Sequence, residues 1–279
     1  MNIEDFGIDF GTHKNQNNKN IIPFTKQMYS LTIKNKVEYI PAYTQCRRIF
    51  KFAPSKAELS KCYKELITQN SLKNNITFAN LITKKLNKSA SGIVVITILT
   101  APGKMLSANG DASCPKNCHY CPSFPNQPKS YDPDEPAPRR ASRHKFSPEL
   151  QMLSRLSTLK RLGHNIEKVQ LEISGGTWCF YPREYIDDFI KRCYYTANIC
   201  FDNDDIYKYK LEGNETRDIL SLKEEQTINE NTKIKIIGIT IETRPDSINK
   251  REIKRLREYG ITRVQLGVQH TDNEILKYI

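Results

Sequence analysis

The residues best suited to chemistry are three cysteines within eight positions, Cys114, Cys118 and Cys121, in the stretch CPKNCHYCPSFP. The other five cysteines (Cys46, Cys62, Cys179, Cys193 and Cys200) are scattered, a usage that suits reduced thiols and a local metal site better than a disulfide framework. A purely structural metal site normally uses four protein ligands, so three closely spaced thiolates suit a 4Fe-4S cluster with one iron left open. Tyr120, just before the third cysteine, is expected to pack against such a cluster and screen it from water. Zinc, with His119 or Cys179 as the fourth ligand, is the alternative.

Other polar residues fall where a ligand on that metal would need them. Ser174-Gly175-Gly176-Thr177 follows one apolar run, and adjacent glycines let backbone approach a ligand closely, although any tight turn could use them. Glu242-Thr243-Arg244-Pro245-Asp246 follows another. Its carboxylate and guanidinium could bind an amino acid's ammonium and carboxylate or a ribose, or could form a salt bridge at the start of a helix. Gly267-Val268-Gln269 follows a third.

The elements that must position these residues are legible in the pattern. IVVITIL (93–99), VQLEIS (169–174), IIGITIE (236–242) and RVQLGVQ (263–269) are β-branched runs of strand length, each leading into a loop. Between them lie helical segments, one opening at Ser147-Pro148-Glu149 and stopping at Gly163, another running from Asn249 to Tyr259 and stopping at Gly260. Repeated strand, loop and helix, with the strands read as continuously apolar, predicts a parallel α/β barrel or doubly wound sheet. Chemistry in such folds sits in loops after the strands' carboxyl ends, where all the unusual residues lie. Residues 201–231 carry nine acids against four bases and read as a surface insertion without chemistry.

The amino-terminal third has a different texture. Residues 1–54 show no sustained period and read as an irregular arm. Ser55-Lys56-Ala57-Glu58 is a capping box, and Leu59, Cys62, Tyr63, Leu66 and Ile67 keep helical spacing, which predicts a helix over 55–69, with a shorter one near 78–86. The chain therefore divides into a basic, partly helical region (1–90) and an α/β core (91–279). Net charge over the 279 residues is +12, and between Thr12 and Lys104 sixteen Lys/Arg face three acids. Tyr29, Tyr39, Tyr43, Phe50, Phe52 and Tyr63 lie among those cations, a mixture suited to phosphate neutralisation plus base stacking, or to a solvated lysine-rich surface. The first thirty residues have no apolar leader, and no window approaches the ~18 apolar residues of a membrane span. The expected location is the cytoplasm, with the nucleus as the alternative.

The cysteine loop, with an aromatic before its third cysteine, resembles the signature of radical S-adenosylmethionine (SAM) enzymes. The ordered set SYxPxEP (130–136), RLGHxxxKV (161–169), GGT (175–177), GITIETRPD (238–246) and YGITRVQLGVQ (259–269) is similar to the catalytic subunit of Elongator, a family that modifies the wobble uridine of tRNA. The resemblance covers residues 55–279 and implies a partial radical SAM barrel with its first four strands present. It implies that Cys114, Cys118 and Cys121 hold a 4Fe-4S cluster, that Gly175, Gly176, Glu242, Arg244 and Gln269 contact SAM, and that Lys168 touches acetyl-CoA. The basic region, with Arg47, Arg48 and Lys51, corresponds to the family's tRNA-binding portion. The implied reaction splits SAM to a 5′-deoxyadenosyl radical, which takes hydrogen from the acetyl methyl of acetyl-CoA. The carbon radical then adds to C5 of uridine 34, and thioester hydrolysis leaves carboxymethyl.

Departures accompany the resemblance. Ser123-Phe124 replaces the Gly-Gly that follows the third cysteine and proline in the family, eukaryotic members space the first two cysteines more widely, and His270 stands where a serine is usual. The fifth and sixth strands and the acetyltransferase-like domain are expected to be absent, so that the chain alone is expected to cleave SAM poorly. Implied partners are tRNA and either Elongator-like subunits or a separate carboxyl-terminal half. A non-catalytic tRNA-binding remnant, one half of a split enzyme and a different radical SAM enzyme are the alternatives.

Overall fold

The computed structural model describes residues 18–83, 90–106, 113–115, 118–200, 210, 213–214 and 216–278. The chain forms two compact units, one of Met1–Lys88 with Lys160–His164 and one of Ser89–Leu159 with Asn165–Ile279.

Among its described residues the first unit contains four helices, α1 (Asn18–Ser30), α2 (Lys36–Phe50), α3 (Lys56–Thr68) and α4 (Ile76–Ile82). Two of them occupy the stretch read as an irregular arm. Pro23 and Pro41 lie inside α1 and α2 and weaken the local signal. Tertiary packing compensates, because Phe24, Met28, Tyr39 and Cys46 are buried in one apolar cluster. The Asn35 side chain caps α2, accepting from the Val37 and Glu38 amides at 2.9 and 3.0 Å. The capping box is present at α3, with the Ser55 hydroxyl and Glu58 carboxylate bonded reciprocally. Of the short helix expected near 78–86, residues 84–86 lie outside the described residues.

The aromatic residues of this unit form its core instead of a stacking surface. The Phe24 ring lies 5.5–6.1 Å from those of Tyr43, Phe50 and Phe52, and the Tyr63 ring lies 5.0 Å from that of Phe78. Tyr29 packs edge-on to Phe78, and Tyr39 stacks on Tyr43. Rings committed to one another have little face left for a nucleobase, and this corrects the stacking expectation.

The second unit carries a four-stranded parallel sheet in chain order, β1 (Val94–Leu99), β2 (Lys168–Ser174), β3 (Lys235–Thr243) and β4 (Ile261–Leu266). The connecting helices are α5 (Pro136–Arg143), α6 (Pro148–Arg161), α7 (Arg183–Ile199), α8 (Leu222–Asn229) and α9 (Lys250–Glu258), and α10 (Asn273–Leu276) follows β4. The α/β class and the four parallel strands agree with the sequence reading, but β4 ends before Gly267, which leaves Gly267–Gln269 in the loop after it. Among the described residues, no helix is long and apolar enough to cross a membrane.

The two faces of the sheet differ. Val94, Ile96, Ile98, Val169, Leu171, Ile173, Ile239 and Ile241 are buried in one cluster with Leu156, Phe189 and Ile190 of the helices. Burial of each such side chain contributes roughly 1.5–3 kcal/mol. Several of the alternate positions are polar and bond across strands. Thr97 donates to Glu172 at 3.2 Å, Gln170 to Thr240 at 2.9 Å, and Ser174 to Glu242 at 3.2 Å. β2 alternates along its length and β3 carries Thr240 and Glu242 in alternation with Ile239 and Ile241, which corrects the reading of continuously apolar strands.

The acidic stretch is also more than surface. Glu225 in α8 is fully buried and accepts a two-pronged bond from Arg217 at 2.6 and 2.7 Å, with further donors from Asn198 and the Leu220 amide. Burial alone would raise this carboxyl, but those donors outweigh it and hold the group below the usual carboxylate range. Lys210 is buried too, 3.3 Å from Glu149 and over the Tyr195 ring.

Candidate functional site

The site lies at the carboxyl ends of the strands. β2 ends in Ser174, and the glycines that follow make room for the protein's own chain. A Cβ on Gly176 would sit 2.0 Å from the carbonyl oxygen of Ser113, and one on Gly175 would sit 1.8 Å from the Thr100 hydroxyl, with Gly175 at φ +145°. This close approach lets the Thr177 amide donate to the Ser113 carbonyl at 2.6 Å, which docks the start of the cysteine loop on the end of β2. The Gly-Gly pair is therefore required by the loop as well as available to a ligand.

Cys114 follows Ser113 directly. The Cys121 amide closes a turn on the Cys118 carbonyl at 3.1 Å, and the Ser130 amide closes a second on Pro122 at 3.0 Å. These turns bring Cys114, Cys118 and Cys121 to the wall of one cavity of about 340 Å³. Gly175, Gly176, Glu242, Arg244 and Gln269 line the same cavity, so five residues read from three different loops converge on it. Gln269 holds a left-handed backbone at φ +69°, an uncommon conformation for a residue with a side chain. Tyr120 lines the cavity but stays half exposed, so it shields the thiols less than expected.

Two of the cavity side chains are held from behind. Glu242 accepts from the Tyr131 hydroxyl at 2.6 Å and the Ser174 hydroxyl at 3.2 Å. Burial first, and Glu242 second, push the Tyr131 hydroxyl above its ordinary range, so it remains a donor at neutral pH. Arg244 is clamped by Asp246, with Nε 3.0 Å and a terminal nitrogen 2.9 Å from the carboxylate oxygens, and its Nη1 lies 3.8 Å from the Cys118 sulfur. The Asp246 bonds raise the guanidinium further. Burial raises the Cys118 thiol, the neighbouring Cys121 and Cys114 raise it more, and Arg244 opposes them. The sequence reading names Ser174 beside the Gly-Gly pair and Tyr131 within SYxPxEP, but not the bonds by which both orient Glu242.

The remaining expected residues lie elsewhere. Lys168 opens β2 and is exposed, six residues before Ser174 and so roughly 20 Å along an extended strand from the cavity end. Arg47 and Arg48 are exposed in the last turn of α2, and Lys51 caps that helix in the left-handed region at φ 47°. Neither proposed fourth zinc ligand lines the cavity. His119 is exposed with its ring 6.1 Å from that of Tyr278, and Cys179 follows β2 with its thiol pushed up to about 11 by burial.

The donor set tests the fit of a metal group. Three thiols share one wall, a guanidinium stabilises sulfur charge, and a carboxylate and glycine backbone face the remaining space, a composition that fits a three-cysteine cluster with a ligand beside it. Among the described residues, no group of three or more His, Cys, Asp or Glu side chains stands ready-made around a single ion.

Fold and site together define an α/β protein with a thiol-rich ligand cavity at the carboxyl end of a parallel sheet. No protein-family model matches the chain. It is 34% identical over 253 residues, 88% of this chain and 41% of the relative, to the tRNA uridine(34) acetyltransferase of Methanocaldococcus infernus. It is 33% identical over 208 residues, 72% of this chain and 33% of the relative, to Elongator complex protein 3 of Dictyostelium discoideum. A solved structure, the archaeal Methanocaldococcus infernus Elp3 with N-terminus deletion (1-46), is 32% identical over 67% of this chain and 31% of that chain, with a TM-score of 0.43. The chain is a homologue of tRNA uridine(34) acetyltransferases and Elongator complex protein 3, and it spans 41% and 33% of the lengths of the two named relatives.

Proposed function

We propose that the chain is the cluster- and SAM-binding part of a cytoplasmic enzyme that modifies C5 of the wobble uridine of tRNA, related to the catalytic subunit of Elongator. The observation that carries this reading is the convergence of Cys114, Cys118 and Cys121 with Glu242, Arg244, Gly175, Gly176 and Gln269 on one cavity. The three cysteines would hold a 4Fe-4S cluster, which when bound supplies the single electron for reductive cleavage of SAM. Glu242, oriented by Tyr131 and Ser174, presents a carboxylate to an ammonium or ribose hydroxyl. Arg244, oriented by Asp246, presents a guanidinium to a carboxylate while keeping one nitrogen toward Cys118. The glycine backbone allows a ligand to lie close against the end of β2.

Lys168 is assigned to acetyl-CoA and Arg47, Arg48 and Lys51 to tRNA phosphates, with Elongator-like subunits as partners. These assignments rest on the motif resemblance and on the basic composition of the amino-terminal region, and the exposure of all four cations is consistent with them. The test is SAM binding by the anaerobically reconstituted chain, followed by equilibrium dialysis. Binding that requires iron, and that weakens at least about tenfold in Glu242→Gln, is expected from the loss of a charge-assisted bond. Iron-loaded protein with no affinity for SAM would overturn the reading.

A further inference from the structure

Every sulfur of the three-cysteine loop receives a hydrogen-bond donor, and each donor comes from a different segment. The Thr177 hydroxyl, after β2, lies 3.3 Å from the Cys114 sulfur. Arg244, after β3, places Nη1 3.8 Å from the Cys118 sulfur. The Ser130 hydroxyl, on the return from the cysteine loop, lies 3.0 Å from the Cys121 sulfur. We propose that Ser130, Thr177 and Arg244 form a ring of one donor per ligating sulfur, which sets the reduction potential of the cluster as positioning residues. The proposal rests on the reading of this site as a 4Fe-4S centre.

Placement supports a dedicated role for the two hydroxyls. Ser130 holds a left-handed backbone at φ +72°, an uncommon conformation for a non-glycine residue, and its amide is anchored on the Pro122 carbonyl at 3.0 Å. Its neighbour Tyr131 reaches Glu242 at 2.6 Å, so one dipeptide spans from the third thiol to the carboxylate of the ligand wall. Thr177 is buried, and its amide is the group that docks Ser113, which fixes the hydroxyl against Cys114 independently of its own bond to sulfur.

The chemistry gives a direction. One-electron reduction of a cluster adds negative charge that is shared with the ligating sulfurs, so an O–H or N–H donor to sulfur is stronger in the reduced state and moves the potential upward. Removing a donor therefore makes the cluster harder to reduce, without removing any ligand. The shorter contact at Ser130 implies the larger shift, and loss of both donors should move the potential further than loss of either.

The experiment compares anaerobically reconstituted full chains carrying Ser130→Ala, Thr177→Val, Thr177→Ser or the Ser130→Ala/Thr177→Val pair, measuring iron per chain, thermal midpoint and the midpoint potential in a mediated redox titration. Expected are wild-type iron content in all, a more negative potential in Ser130→Ala and a smaller shift of the same sign in Thr177→Val. The double variant should shift further than either single variant, and Thr177→Ser, which keeps the hydroxyl, should hold the wild-type value. A full complement of iron with unmoved potentials would overturn the donor ring while leaving the cluster intact. Variants that lose iron or melt earlier with no change in potential would make these side chains loop supports and overturn it as well. Wild-type protein that takes up no iron would instead defeat the cluster reading beneath the proposal.

Discussion

Two sets of arginines, one in each unit, are held in opposite ways. Arg47 and Arg48 end α2 in solvent with Lys51 beside them, and no ion pair among the described residues involves any of the three. Arg217 and Arg244 of the sheet-bearing unit are each gripped by a carboxylate, Arg217 by the buried Glu225 and Arg244 by Asp246. A cation whose geometry is fixed can recognise one atom, whereas one left in solvent supplies a field. The first unit is therefore suited to a polyanion met through many interchangeable contacts, and the second to a small ligand met through a few exact ones.

Breaking the gripped set should have the largest effect. Arg217→Ala leaves the fully buried Glu225 carboxylate without its cation, and a loss of about 3–5 kcal/mol is expected in urea unfolding. A loss below about 1 kcal/mol, the scale of an exposed pair, would erase the contrast drawn here.

Acid should expose a second buried group. His144, after α5, is buried, and burial first, then Arg143 and Arg140, push its imidazole down to about 4. Unfolded chain takes up this proton below the ordinary value of 6.5 and folded chain does not, so the unfolded state binds more protons across that window. Stability is fully present above about 6.5 and falls by up to about 3 kcal/mol as pH drops toward 4. His144→Gln should flatten that part of the pH profile of chemical denaturation.

Gly176→Ala tests how the cysteine loop is docked. The new methyl meets the Ser113 backbone, so a destabilisation of about 1–3 kcal/mol is expected, together with reduced iron uptake from a displaced Cys114. Normal stability and iron content would show that the loop does not depend on this close approach.

The free set should respond least in stability and most in salt dependence. Reversing Arg47, Arg48 and Lys51 together should change stability by less than about 0.5 kcal/mol. The slope of log affinity for tRNA against log salt should flatten by about two to three units if all three touch phosphate. An unchanged slope would reduce Arg47 and Arg48 to cations that complement the carboxyl end of α2.

Much of the α/β architecture was legible because its signals are local. β-branched runs, the glycine stops at Gly163 and Gly260 and the cysteine spacing each specify structure within a few residues, and all five expected SAM-contact residues line the cavity with the three thiols. What escaped depends on partners distant in sequence. The helices α1 and α2 contain prolines and owe their order to burial of Phe24, Met28 and Tyr39. The Tyr131 to Glu242 bond joins residues 111 positions apart, and the burial of Glu225 depends on Arg217 and Asn198. The aromatic residues of the first unit looked available for bases because composition does not report which rings face one another.

The most direct test of the central claim is the metal content of the anaerobically reconstituted chain. About four irons per chain are predicted, lost in Cys118→Ala and retained in Cys179→Ala, because Cys118 lines the cavity and Cys179 does not. Stoichiometric zinc with no iron uptake, or loss of metal in Cys179→Ala, would contradict it.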